Sequence, residues 1–277
     1  MNKRIQLGEG VESNNSKNSN KFDYFLKNTK KFIAFTLAET LIVMGIIGVV
    51  AALTIPNLNS STNNMEKVTK VKKIYAELNE AHNRATAVYG PVETWFTNDP
   101  NDSSRRKRYF DRITEFMKVQ KSCRDNNDNI CYSENCIVRL DGDCDEGFYW
   151  PAFVLNSGAS VSIGNIGYPK CNWAESLDII KHGYAKNACG DIRIDIDGPN
   201  KGKFTDGIDV FFFWITKDGI FPEYTSKPNF DVEWKADNWE YGSTWILEKG
   251  NLDYLKVDSS GNCPDGTPLT WERGSCK

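Results

Sequence analysis

Eight cysteines, two histidines and one dense run of acids are the side chains whose types could do chemistry. Cys123, Cys131, Cys136 and Cys144 have seven, four and seven residues between neighbours. Cys171 and Cys189 bracket a second segment, and Cys263 and Cys276 a third. An even set spaced this way reads as a disulfide framework. Local closure predicts Cys171–Cys189 and Cys263–Cys276, with the four-cysteine cluster paired within itself. Zinc is the rival use, but it wants two short C-x-x-C-like knuckles, and only Cys131-x4-Cys136 comes near. A catalytic thiol needs a histidine. His82 falls in a helical stretch, where packing or exposure is the expected role. His182 could approach Cys171 or Cys189, but no other feature supports catalysis.

The acids are Asp195, Asp197, Asn200, Asp206 and Asp209, the set completed by one carboxamide. Hard oxygens gathered around one turn between two strands suit Ca2+. A plain turn uses the same residue types, and both readings stand. Asp141-Gly-Asp143-Cys-Asp145 begins like an EF-hand. It has Glu146 where the loop requires Gly, and Ala152 where it requires Glu. Arg105-Arg106-Lys107-Arg108 is a basic patch, read as a solvated loop. Across 277 residues, 34 Lys and Arg face 37 Asp and Glu, a formal charge of −3. That balance argues against a protein that coats nucleic acid.

The elements that must position these groups are legible in outline. Residues 57–90 repeat apolar side chains at steps of three and four: Met65, Val68, Val71, Tyr75, Leu78, Ala81, Ala85 and Val88. That predicts an amphipathic helix, stopped by Gly90-Pro91 and loose or kinked around Asn59 to Asn64. Residues 91–149 read as turn-rich, with an amphipathic segment at 104–118 whose apolar face is Tyr109, Ile113, Phe116 and Met117. Ala152–Leu155 and Ala159–Ile163 flank Asn156-Ser157-Gly158 and predict a hairpin. Asp191–Ile196 predicts a strand with one buried face, Ile208–Thr216 a central strand, and Thr244–Glu248 a further strand. Trp234, Trp239 and Trp245 are expected to be largely buried.

The N-terminus carries the strongest signal. Residues 1–34 hold seven Lys and Arg against three Asp and Glu, with Asn and Ser crowded at 13–20. They read as a disordered basic leader that keeps this end cytoplasmic. Phe35 to Ile55 follows as an apolar run in which Glu39 is the only charge, and Pro56 ends it. As a helix the run is about 31 Å long, about one bilayer core. A mean hydropathy of −0.51 excludes a polytopic membrane protein.

Basic flank, Phe35-Thr36-Leu37-Ala38-Glu39, apolar helix and Pro56 together resemble the prepilin N-terminus shared by type IV pilins and type II secretion pseudopilins. The resemblance proper covers about residues 30–60. It implies cutting between Ala34 and Phe35 by a membrane prepilin peptidase and N-methylation of Phe35. It also implies filament assembly through Phe35, Glu39 and Pro56. In the family the glutamate pairs with the amine of a neighbouring subunit's Phe. A plainer reading has Glu39 complement the helix N-terminal dipole, worth about 0.3–1 kcal/mol. One position departs: the family has Gly before the cut, where Ala34 stands here, and slower cutting is expected. The segment Gly48–Pro56 is where the family's helix is thought to melt in filaments; ordinary small-residue helix packing explains the glycines equally well. The acidic loop likewise resembles one near the C-terminal strands of pseudopilins, some of which bind calcium.

The expectation is therefore an α+β, type IV pilin-like protein: a long N-terminal helix packed on an antiparallel β-sheet, with disulfide-stapled loops. Residues 1–34 are the leader, 35–56 the transmembrane and filament-core helix, 57–90 its amphipathic half, and 91–277 the extracytoplasmic head. The resemblance implies a bacterial structural subunit of a pilus or secretion pseudopilus, a minor or specialised one, and no enzyme. Its expected partners are other pilin subunits, the prepilin peptidase and the inner-membrane assembly machinery, with no nucleic acid. It would sit single-pass in the inner membrane, then in a periplasmic or cell-surface filament. It requires no cofactor, with calcium the one candidate. The alternative is a secreted disulfide-rich binding protein or adhesin with an ordinary signal peptide cut near Ala51–Ala52, for which Glu39 and Phe35 have no use.

Overall fold

The computed structural model describes residues 36–97, 102–125, 131, 136–138, 144–146, 151–166, 169–172, 187–199, 201–202, 204–222, 241–258 and 260–276. Within them, the side chains of 54–62, 136–138, 144–146, 169 and 241 are not described. The chain divides into two units, Met1–Pro56 and Asn57–Lys277.

Helix α1, Leu37–Tyr89, is helical through Pro56 and through the Asn59 to Asn64 stretch, where the sequence predicts a loosening. Gly90, at φ +80°, ends it. A left-handed residue after the last turn costs a glycine nothing in sterics. In the second unit α1 buries Val68, Val71, Ile74, Leu78, Ala81 and Ala85, the spacing of one helical stripe. Met65 and Val88, expected on that stripe, are 56% and 62% exposed. They stand at its two ends.

The head is α+β. Six strands make one sheet in the order β1-β4-β5-β6-β7-β8. They are β1 (Val119–Cys123), β4 (Ala152–Leu155), β5 (Ser160–Ile166), β6 (Ala188–Asp195), β7 (Val210–Thr216) and β8 (Gly219–Pro222). Every neighbouring pair is antiparallel. A separate antiparallel ladder joins β2 (Cys136–Val138) to β3 (Cys144–Glu146). Helix α2 is Arg105–Thr114 and α3 is Tyr241–Lys249.

The hairpin at 156–158 forms as expected: Gly158 has φ +92° and its N–H donates to Leu155 O at 2.8 Å. Strand β6 departs from its reading. All eight of its residues are buried, so both faces are covered. Ile192 and Ile194 enter the main core with Phe211, Phe213 and Ile215 of β7 and the stripe of α1; Tyr75 of α1 stacks on Phe213 at 5.4 Å. Asp191, Arg193 and Asp195 alternate with them and therefore face the other side.

The segment Thr244–Glu248 is corrected from strand to helix α3. Trp245 and Ile246 are fully buried there, and Trp245 meets Trp271 at 4.9 Å. Tertiary packing has overridden a weak β propensity. Trp234 and Trp239 lie outside the described residues.

Disulfides close Cys123–Cys131, Cys171–Cys189 and Cys263–Cys276. The side chains of Cys136 and Cys144 are outside the description. Their strands pair with Cys136 opposite Glu146 and Val138 opposite Cys144.

Candidate functional site

Two regions hold the site residues expected from sequence: the start of α1, and the loop between β6 and β7. At the first, Ala34 and Phe35 lie outside the described residues. Thr36 and Glu39 form a reciprocal cap. The backbone N–H and the hydroxyl of Thr36 donate to Glu39 Oε2 at 2.9 and 2.8 Å, and the Glu39 N–H donates to Thr36 Oγ1 at 3.2 Å. This is a capping box, which satisfies backbone donors that the first turn leaves unpaired. Sequence reasoning read Glu39 for its charge and missed Thr36 as its partner, although Thr-x-x-Glu is itself the signal.

Beyond the cap, α1 presents apolar side chains on every side. Leu37, Leu41, Ile42, Val43, Met44, Ile46, Ile47, Val49, Val50 and Leu53 are 53–79% exposed. Exposed apolar surface of this extent marks an interaction site or an aggregation liability. Among the described residues, no helix is long and apolar enough to cross a membrane. The run Phe35 to Ile55 passes beyond the described side chains at both ends. The Pro56 side chain lies outside them too.

At the second region, β6 delivers Asp195 and the following turn Asp197, while Asp206 and Asp209 precede β7. Asp195, Asp206 and Asp209 are buried and Asp197 is half-buried; Asn200 is outside the described residues. Asp195 Oδ1 accepts the N–H groups of Asp197 and Gly198 at 3.1 and 3.0 Å. Its Oδ2 is buried without a hydrogen-bond partner among the described residues. Burial above all, together with the charges of Asp209 and Asp197, pushes this carboxyl up to about 7, against the pull of the Gly198 N–H. Asp209 Oδ1 accepts the Thr205 N–H at 2.5 Å. Gly202 sits under both carboxylates: a Cβ there would stand 2.5 Å from Asp209 Oδ2 and 3.1 Å from Asp197 Oδ2.

Helix α1 supplies the counter-charge. Lys70 Nζ lies 3.3 Å from Asp197 Oδ1 and 3.1 Å from Glu66 Oε1. Lys67 Nζ donates to Ile208 O at 3.2 Å. Partial burial would lower the Lys70 ammonium, but its bonds to Glu66 and Asp197 outweigh that and hold it above its ordinary value. Among the described residues no group of three or more His, Cys, Asp or Glu side chains is arranged to hold a metal ion. A calcium shell needs several oxygens free to converge. Here Asp195 Oδ1 and Asp209 Oδ1 accept backbone N–H groups and Asp197 Oδ1 meets an ammonium, while Asp195 Oδ2 is left over among the described residues.

His82 is buried between α1 and α2, its Nδ1 3.1 Å from the Tyr109 hydroxyl. The basic patch is drawn into local contacts. Arg106 reaches Asn165 at 3.4 Å, Lys107 reaches Asp125 at 2.5 Å, and Arg108 donates to Trp95 O at 2.8 Å. His182 is outside the described residues.

No family model, curated protein or solved structure gives a significant match to the chain.

Proposed function

We propose that the chain is a structural subunit of a type IV pilus or type II secretion pseudopilus. It is matured by prepilin peptidase between Ala34 and Phe35 and assembled through the first half of α1. The observation that carries this reading is the sheath of exposed apolar side chains from Leu37 to Leu53, on the helix whose later residues bury their stripe in the head. A helix that is apolar all round needs lipid or other helices around it. Storage in the inner membrane followed by packing against neighbouring subunits supplies both in turn.

The role of Glu39 in this reading is to accept the methylated amine of Phe35 from a neighbouring subunit once the helix leaves lipid. A carboxylate in a membrane interior costs about 2.5–3.5 kcal/mol. The Thr36 cap supports its tolerance beforehand, because both cap donors are already at hand. The head, closed by local disulfides, suits an extracytoplasmic, oxidising compartment. No catalytic role is assigned to it.

The same capping bonds favour a second reading, in which Glu39 only starts the helix and the head is a secreted binding protein released near Ala51–Ala52. The N-terminal residue of the mature protein, taken by intact mass and peptide sequencing from its native envelope, separates the two. A chain starting at methylated Phe35 supports the filament subunit. A chain starting near Leu53 rejects it.

A further inference from the structure

The β6–β7 loop has the acids of a cation site, yet among the described residues no three of them are grouped to hold a metal ion. Two lysines of α1, in the same unit, reach the loop instead. Lys67 and Lys70 are three residues apart on α1 and so share one face. One ammonium holds a carboxylate near the loop's start, Asp197, at 3.3 Å. The other holds a main-chain carbonyl near its end, Ile208 O, at 3.2 Å. A carboxylate from one arm and a carbonyl from the other are the ligand types a calcium ion bridges in such loops. An ammonium on a flexible stem can meet each of them as a donor.

The loop is braced on its other sides as well. Tyr254 donates its hydroxyl to Gly207 O at 2.5 Å. Gly198, at φ +81°, rests so close to the β4–β5 turn that a Cβ would fall 1.9 Å from Gly158 O. Ile196 N donates to Asp209 O at 2.9 Å and draws the two arms together at the base.

We propose that Lys67 and Lys70 are the resident cations of this loop, bracing 196–199 and 204–209 from helix α1 without a divalent metal. The proposal concerns the head alone and stands whether or not the chain assembles into filaments.

The test is amide hydrogen exchange, read by mass spectrometry on peptides covering residues 196–209 of the full chain in detergent, with excess calcium or with EGTA. The wild-type protein should exchange equally in both. The Lys67→Met/Lys70→Met double variant should exchange roughly five- to tenfold faster in this segment, the loss of two partly exposed charge contacts. Lys73→Met removes one charge from the same helix away from the loop and should match wild type. Calcium protection of the wild-type segment would overturn the proposal. So would a double variant exchanging no faster than Lys73→Met.

Discussion

Asn79 and Ile220 exchange two hydrogen bonds between α1 and the sheet edge. The Ile220 N–H donates to Asn79 Oδ1 at 2.9 Å, and Asn79 Nδ2 donates to Ile220 O at 3.1 Å. The carboxamide therefore does for β8 what another strand would do. It pairs both main-chain groups of one edge residue, and an unpaired edge is an aggregation template. Asn79→Leu should leave an N–H and a carbonyl unpaired beneath the helix and cost about 1–3 kcal/mol. Chemical denaturation of the full chain in detergent checks this; an unchanged midpoint would show that water replaces the amide.

His82 should make the head acid-sensitive. Burial lowers its imidazole from the ordinary 6.5 to about 4. The unfolded chain then binds a proton near 6.5 that the folded chain refuses until about 4. Stability is full above 6.5 and is lost as pH falls towards 4, by up to about 3 kcal/mol. His82→Gln should flatten that limb. Equal slopes for the two proteins between pH 7 and 4.5 would reject this assignment.

Asp191 works in the opposite sense. It is fully buried on β6, and burial pushes its carboxyl from 3.8 up to about 7, with the charges of Arg193 and Arg106 pulling it back. The folded chain keeps a proton that the unfolded chain releases, so this contribution is full below 3.8 and is lost as pH rises through 7. Asp191→Asn should gain stability relative to wild type on going from pH 5 to 8. Gly164 lies against the same carboxylate, and a Cβ there would fall 2.4 Å from Asp191 Oδ2. Gly164→Ala should destabilise by about 1–3 kcal/mol, measured by thermal unfolding.

Thr36 and Glu39 can be separated by their variants. A cap-only role predicts that Thr36→Ala and Glu39→Ala each cost about 1 kcal/mol of helix stability and affect assembly alike. The filament reading predicts that Glu39→Ala matures normally yet stops assembly, while Thr36→Ala assembles more than Glu39→Ala. Filament yield and N-terminal mass in an expressing strain distinguish the outcomes.

The sequence by itself determined what short-range physics controls. Spacings of three and four placed Val68, Val71, Leu78, Ala81 and Ala85 on the buried stripe of α1, because side-chain direction follows helix pitch, but pointed to half-buried Tyr75 where Ile74 is the buried residue. Gly90 and the Asn156-Ser157-Gly158 turn were legible because few backbones tolerate positive φ. The close pairings Cys171–Cys189 and Cys263–Cys276 followed from proximity along the chain. Tertiary structure decided the rest. Strands β1 and β8 are four or five residues long and acquire their identity only from their neighbours in the sheet. Helix α3 wins over a strand because Trp245 finds Trp271 and Asn251, its indole N–H donating to Asn251 Oδ1 at 2.8 Å. Asp191 and Asp195 are buried rather than solvated because β6 is covered on both faces, which alternation along one strand cannot reveal. Helix α1, more than a hundred residues earlier in the chain, brings Lys70 to Asp197 and Lys67 to the Ile208 carbonyl, contacts that the acids of the β6–β7 loop did not announce in the sequence. Which charge neutralises another depends on distance in space, and only the fold sets that distance.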